Sequence, residues 1–304
     1  MAPDTLERRT TRLMGCEVTV LAPAGYTMRA IDRLRSLEHR WSRFRADSDI
    51  SLLNAAAGRP IAISRDTHVL LHRLALAHHI TGGAFDPTLM RSIVGIGYHT
   101  SVDDNTLRTT LHPATQPTAD PSQITIAEID GVTTAMLPPG TAIDPGGLGK
   151  GLAADIVVGE LLAVGATGAL VDVGGDIRVG GTPLGGEVWA IDVDDPTRTH
   201  TIDRIAISDG GVATSSTRRR AWRHGDADVH HLIDPTSGAP SSRGVAGVTV
   251  VAGDAAWAEA LTKVPFARTL DDALALYDRL CIAALIVFDD GSQLRTNPWK
   301  ELSR

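Results

Sequence analysis

The segment Ile143-Asp144-Pro145-Gly146-Gly147-Leu148-Gly149-Lys150-Gly151 sets a carboxylate, several glycines and a lysine where a strand gives way to a helix. Such a junction turns backbone N–H groups and the positive end of the helix dipole toward one point, which is what a bound phosphate needs. It is not a Walker A loop, because no Ser or Thr follows Lys150-Gly151 and the first glycine stands too close to the lysine. Nor is it a Rossmann fingerprint, since no G-x-G-x-x-G follows Asp144 in a βαβ setting. Taken alone, the spacing also suits a tight turn with glycines at positive φ and a solvated lysine.

Three further segments carry groups of the same kind. Val173-Gly174-Gly175-Asp176 follows an apolar run and either brings a ligand against the backbone or simply turns a hairpin. Ala213-Thr214-Ser215-Ser216-Thr217 presents four consecutive hydroxyls ahead of Arg218-Arg219-Arg220, a grouping suited to phosphate or ribose oxygens and equally to a solvated turn. His230-His231-Leu232-Ile233-Asp234-Pro235 brings an imidazole and a carboxylate near one another, as general-base chemistry requires and as a structural histidine also allows.

These groups need a scaffold, and the hydrophobic period supplies one. Arg12 to Leu21 alternates as a half-buried strand, and Ala30 to Phe44 repeats Ile31, Leu34, Leu37, Trp41 and Phe44 at helical spacing. Ser48 caps a short helix that stops at Gly58 and Pro60, and Asp66 to Ile80 forms another that breaks at Thr81-Gly82-Gly83. Residues 97–122, rich in Thr, Asp, Pro and His, read as a surface excursion, followed by a hairpin around Asp130-Gly131. The second half predicts a helix from Gly149 to Val164 and strands at 169–173, 187–193, 200–207, 229–233 and 245–252. Helices near 254–263 and 270–279 and a last strand, Cys281 to Phe288, complete it. Mixed order with hairpin-like pairs points to an α+β fold with largely antiparallel sheets rather than a doubly wound parallel sheet.

Composition narrows the partners. A net charge of −7 and no basic run longer than Arg218-Arg219-Arg220 argue against nucleic acid while leaving room for a small anion. Cys16 and Cys281 are the only cysteines and form no CxxC, so neither a disulfide framework nor a thiolate zinc site is expected. The first ten residues hold no apolar signal core or lipobox cysteine, and no apolar run approaches the roughly 20 residues of a membrane helix, so a cytoplasmic chain without membrane insertion is expected.

In this order and spacing the strings resemble the ApbE family of flavin transferases. They run from Met14-Gly15 through Arg43-Phe44-Arg45, Ser48 to Asn54 and Gly82-Gly83-Ala84-Phe85-Asp86-Pro87-Thr88 to the Asp144–Gly151 loop. Val173 to Asp176, Ala213-Thr214-Ser215 and His231 to Pro235 complete them. The resemblance implies one ApbE-like domain over residues 1–304, with FAD in a cleft between two unequal lobes. It implies transfer of FMN from FAD to a Thr or Ser of a partner protein, with AMP released. Met14, Phe44, Ala84, Phe85, Asp86, Asp144, Lys150 and Leu232 fall where the family touches FAD, with Thr214 and Ser215 as oxygen-binding hydroxyls and His231 as the catalytic histidine. Phe44 stands where an aromatic ring stacks on the isoalloxazine.

The resemblance also implies a magnesium ion on the pyrophosphate, held in part by the Gly147 carbonyl and by a helix reading A-D-A-L-A-T. Here that helix reads Ala258-Glu259-Ala260-Leu261-Thr262-Lys263. Glu259 keeps a carboxylate, but Lys263 replaces the hydroxyl and has no lone pair for a metal. Pro265 kinks the helix just beyond. Three readings follow: Lys263 supplies charge where the ion would sit, Glu259 with Thr262 still recruits a metal, or transfer is lost and flavin is only bound. Glu259 and Lys263 could also form an ordinary surface pair worth about 0.3–0.5 kcal/mol. FAD pyrophosphatase activity, with water as acceptor, is the remaining alternative.

Overall fold

The computed structural model describes residues 5–302 apart from 103, 112–119, 184, 187 and 199. Parts of the expected excursion, the first residue of the expected 187–193 strand and the first four residues of the amino terminus lie outside the described residues.

The chain opens with a hairpin, β1 (Leu6–Leu13) and β2 (Cys16–Pro23), followed by α1 (Thr27–Trp41), α2 (Asp49–Ala55), β3 (Ile61–Ala62), α3 (Arg65–Ile80) and α4 (Met90–Gly95). A small hairpin, β4 (Thr125–Ile129) and β5 (Val132–Met136), precedes the central helix α5 (Gly149–Ala163). Then come β6 (Gly168–Val173), β7 (Asp176–Gly181), β8 (Trp189–Asp194), β9 (Thr201–Ile207), β10 (Gly210–Ser216), β11 (Ala221–His224), β12 (Ala227–His230) and β13 (Val245–Ala252). The chain closes with α6 (Ala255–Leu261), α7 (Val264–Ala267), α8 (Leu270–Arg279), β14 (Ala283–Phe288), β15 (Gln293–Arg295) and α9 (Asn297–Leu302).

Eight strands make the main sheet in the order β1-β2-β6-β7-β10-β13-β14-β15, and every pairing in it is antiparallel. The two faces are covered differently because alternate side chains point opposite ways. Ala284 and Ile286 join Leu261, Phe266 and Tyr277 on the helical side. Leu285 and Val287 join Trp189, Ile205 and Trp299 under the β8–β9 ribbon and α9. The fold is α+β with mostly antiparallel sheets, as the order of elements predicts. Among the described residues no helix is long and apolar enough to cross a membrane.

Two expected elements change. The alternation read as one strand from Arg12 to Leu21 crosses a hairpin corner, where Met14 and Gly15 sit at φ 54° and 73°. Leu13 pairs with Cys16, so the inward phase shifts by one residue across the bend, but Met14, Cys16, Val18 and Val20 happen to be apolar at every second position and carry an unbroken pattern through the corner. The hydroxyl run 213–217 lies mostly in the inner strand β10, which pairs with β13 along 211–216 and with β7 along 210–213. Its Ser and Thr look turn-like only because their hydroxyls are satisfied by tertiary partners, Thr214 by Thr249 at 3.0 Å and Ser215 by Thr262 at 2.7 Å.

The helix predicted over 30–44 starts and stops about one turn early, so Phe44 leaves the helix. Pro265 does break its helix: α6 ends at Leu261, and α7 restarts with the proline in its first turn, where a missing N–H costs nothing.

The start of α6 lies backbone to backbone against α5 and β10. A Cβ on Gly151 would sit 2.4 Å from the Ala255 carbonyl oxygen, and one on Gly211 would sit 2.2 Å from the Ala255 nitrogen. Asp155 locks the junction by accepting the Ala255 and Ala256 N–H groups at 2.8 and 2.9 Å, and Asp254 caps α6 by accepting from Trp257 at 2.7 Å.

Replacing Gly211 by Ala should therefore lower stability by about 2–3 kcal/mol or more. Gly159→Ala on the exposed side of α5, where an added Cβ meets nothing within 4 Å, should raise it by about 0.5–1 kcal/mol. Urea unfolding of both variants checks the pair, and equal midpoints would contradict the close approach.

Candidate functional site

A cavity of about 370 Å³ opens where the β1–β2 corner, the end of α1, the 84–89 turn and the loop into α5 converge with Lys263 and Phe266. Met14, Phe44, Ala84, Phe85, Asp86, Asp144, Gly147, Lys150, His231 and Leu232 all lie on its wall, although they come from five separate stretches of chain. Thr214, Ser215, Glu259 and Thr262 are not on that wall. The wall is cationic in an acidic protein: Arg12, Arg43, Arg45, Lys150, Arg220 and Lys263 face Glu38, Asp86, Asp104 and Asp144. Of these cations Arg220 and Lys263 have, among the described residues, no carboxylate within a short hydrogen bond and can meet an anion in the cavity.

One end of the cavity is aromatic. The Arg43 guanidinium faces two adjoining rings, 4.6 Å from the Phe44 centroid and 4.5 Å from that of Tyr98, whose centroids are 6.1 Å apart, and Tyr98 in turn packs 5.3 Å from Trp222. Arg43 is only 7% exposed and reaches Asp144 Oδ2 at 3.5 Å. Arg220 donates to the Tyr98 hydroxyl at 3.0 Å, and Trp222 Nε1 donates to the Ile96 carbonyl at 2.7 Å. Tyr98 lies in the segment read as a surface excursion; with Ser101, Val102 and Leu107 it walls the cavity instead. The available signal was a tyrosine within a polar run of a chain holding three tyrosines in all.

The floor is ionic and buried. Glu259 has no exposure, yet both carboxylate oxygens are met: Lys150 Nζ donates to Oε1 at 2.8 Å and the Gly151 N–H donates to Oε2 at 2.8 Å. Lys150 also pairs with Asp176, itself 2% exposed. Lys150 is thus a paired group and not a solvated one. Glu259 and Lys263 likewise form no surface pair, since Glu259 leans on Lys150 while Lys263 Nζ stays 3.9 Å from Oε1. Lys263 donates instead to the Glu259 carbonyl at 2.9 Å and to Thr262 Oγ1 at 3.2 Å. Burial, opposed by Glu259 and aided by the charges of Lys150 and Arg220, pushes the Lys263 ammonium down to about 7.

His231 sits between floor and wall. Its Nδ1 is sealed from solvent with no hydrogen-bond partner, while its backbone N–H donates to the Arg220 carbonyl at 3.2 Å. Burial, with the cations Arg220, Lys263 and Lys150 adding to it, holds the imidazole well below the ordinary histidine range. The carboxylate expected beside it is engaged elsewhere: Asp234 accepts from Arg243 at 2.8 Å and from the Thr236 N–H at 2.8 Å. The ring is therefore a neutral base without an orienting acid from that strand.

The ApbE family model matches residues 14–286. The chain belongs to the ApbE family. A FAD:protein FMN transferase of Treponema pallidum is 28% identical over 301 residues, covering 90% of this chain and 82% of that protein. Another of the same name from Haemophilus influenzae is 26% identical over 282 residues, covering 85% and 77%. The crystal structure of an ApbE protein from Thermotoga maritima has a TM-score of 0.86 at 25% identity over 99% of this chain and 100% of that one. The flavinyl transferase ApbE of Pseudomonas stutzeri has the same fold, with a TM-score of 0.81 at 24% identity over 98% and 97% of the two chains.

For a member of the ApbE family the cation floor needs a direct test against magnesium, and the residues present do not fit a divalent ion. Among the described residues no three His, Cys, Asp or Glu side chains converge on a metal position. Both Glu259 oxygens already accept from an ammonium or an amide, and the Thr262 hydroxyl donates to the Glu259 carbonyl at 2.6 Å. Phe85 and Lys263 pack against one side of Gly147, since a Cβ there would lie 2.9 Å from Phe85 Cε2 and 3.6 Å from Lys263 Cε. A divalent ion among these groups would meet Lys263 in place of oxygen.

Because the folded chain keeps His231 neutral, the unfolded chain takes up the proton first as the pH falls below about 6.5. The stability associated with this residue is present above that pH and lost on acidification. Thermal unfolding of the wild type should weaken more steeply between pH 7 and 5 than that of His231→Gln. The His231 Cε1–H NMR shift should stay flat across the range, and a midpoint near 6.5 would contradict the buried neutral ring.

Proposed function

We propose that this chain transfers FMN from FAD to a threonine or serine of a partner protein and releases AMP. The observation that carries the reading is the cavity itself: an aromatic end at Phe44 and Tyr98, a cationic floor at Lys150, Arg220 and Lys263, and a neutral histidine between them. That sequence of surfaces suits, in turn, a flavin ring, a pyrophosphate and a hydroxyl nucleophile. The names of the relatives support the same reading. Residues 1–304 are taken as one unit with FAD between two unequal lobes, and the free cysteines Cys16 and Cys281 suit a cytoplasmic setting.

In the proposed reaction the acceptor oxygen attacks the FMN-side phosphorus of FAD. A new P–O bond to the protein forms as the bond from that phosphorus to the bridging oxygen breaks, and the electron pair leaves with AMP. Neutral His231 takes the hydroxyl proton, and burial with the cations Arg220, Lys263 and Lys150 disfavours the imidazolium, which favours prompt proton release. Lys150, fixed by Asp176 and Glu259, holds its charge at the floor without reorganisation. Phe44 orients the isoalloxazine. Thr214 and Ser215 act through the scaffold in this reading, by holding Thr249 and Thr262.

Incubation with FAD and an acceptor domain tests it by AMP release and by an FMN mass increment on the acceptor. AMP with free FMN would indicate a pyrophosphatase, and unchanged FAD a flavin binder. His231→Asn should lower kcat by roughly 10²–10⁴-fold with little change in FAD affinity. Phe44→Ala should weaken FAD binding about fivefold, near 1 kcal/mol of ring contact. Fluorescence quenching of FAD reads the second effect independently of turnover.

A further inference from the structure

The end of α6 is built as an oxygen cage, and a side chain of the same helix fills it. Pro265 has no N–H for Leu261, whose carbonyl is met by the Tyr277 hydroxyl at 2.7 Å. The Lys263 N–H bonds Ala260 at 3.2 Å and leaves the Glu259 carbonyl without its usual helical donor. Three oxygens then face one point: the Glu259 carbonyl, Thr262 Oγ1 and, farther off, Glu259 Oε1. Lys263 Nζ stands at that point, 2.9, 3.2 and 3.9 Å from them, with its side chain 17% exposed on the cavity wall.

The charge at this place differs in kind from that of Lys150. Lys150 is committed to two buried carboxylates, whereas Lys263 is held mainly by neutral oxygens, and its nearest carboxylate oxygen is 3.9 Å away. Its two hydrogen bonds use two of three ammonium protons and leave a third for an anion in the cavity. Glu259 and Asp176 are already balanced by Lys150 and Lys263, so a divalent ion in addition would leave uncompensated positive charge in a buried floor.

We propose that the Lys263 ammonium is a resident cation occupying the position of a divalent metal, so that this chain binds the phosphoanhydride of its dinucleotide without any metal ion. The proposal rests on the flavin dinucleotide reading for its ligand but not for the closed cation site.

Two measurements test it on the full chain. FAD binding to the wild type, followed by fluorescence quenching, should give the same Kd within about twofold in EDTA and in millimolar MgCl₂, while Lys263→Met weakens binding in EDTA by roughly tenfold or more, the scale of a lost charge-assisted hydrogen bond. Binding that tightens tenfold with magnesium overturns the proposal, and the wild-type comparison decides this even where Lys263→Met does not fold. The second measurement uses Mn²⁺ alone, with bound ion read from the loss of the free-ion EPR signal. The wild type should take up no Mn²⁺ that Glu259→Gln abolishes, and uptake of that kind overturns the closed site. Absence of FAD binding in both buffers would fail the flavin reading and the metal-free binding with it, and the Mn²⁺ result would then decide the closed site separately.

Discussion

A carboxylate with no solvent exposure must be neutralised where it stands, and much of this site follows from how Glu259 is neutralised. Its two oxygens reach the first turn of α5, one through the Lys150 ammonium and the other through the Gly151 N–H. That pair of bonds fixes the register of α6 on α5, and with it the place of Thr262 and Lys263. Asp176, at the start of β7, completes the arrangement by holding Lys150 from the sheet. The glycine loop therefore presents its lysine to the cavity because two buried acids, far away in sequence, have already set its direction.

The parts of the fold that were legible are those whose burial pattern is local. The stripes of α1 and α3 and the Asp130-Gly131 hairpin depend on near neighbours, and the alternate burial of apolar positions exposes them. The strand β10 was not legible, because its hydroxyls are satisfied by Thr249 and by Thr262 on α6, partners that no window of sequence contains. The corner at Met14-Gly15 was hidden because apolar Met14 extends the alternation of Cys16, Val18 and Val20 back into the turn, although the pairing of Leu13 with Cys16 shifts the inward phase there.

The site shows the same division. Residues in glycine- or proline-marked turns, such as Asp86, Asp144 and Lys150, announce themselves by type and spacing. Arg43, Tyr98 and Arg220 act through one another, the first by stacking and the last by a hydrogen bond to a phenol, and such partnerships leave no periodic trace. The helix Ala258–Lys263 was readable as altered from Lys263 alone, but that Glu259 has left the surface entirely follows only from the packing of α6 on α5. An acidic chain thus gathers six cationic side chains on one cavity wall and pairs two of its buried acids with one of them.

The contact of Gly151 and Gly211 with the head of α6 is between main chains, and a main chain in regular structure has no rotamers to lose. The floor it supports is accordingly rigid before any ligand arrives. A dinucleotide entering the cavity meets charges whose positions have been settled by folding, so the ordering entropy of binding falls on the guest and on the aromatic wall instead of on the floor.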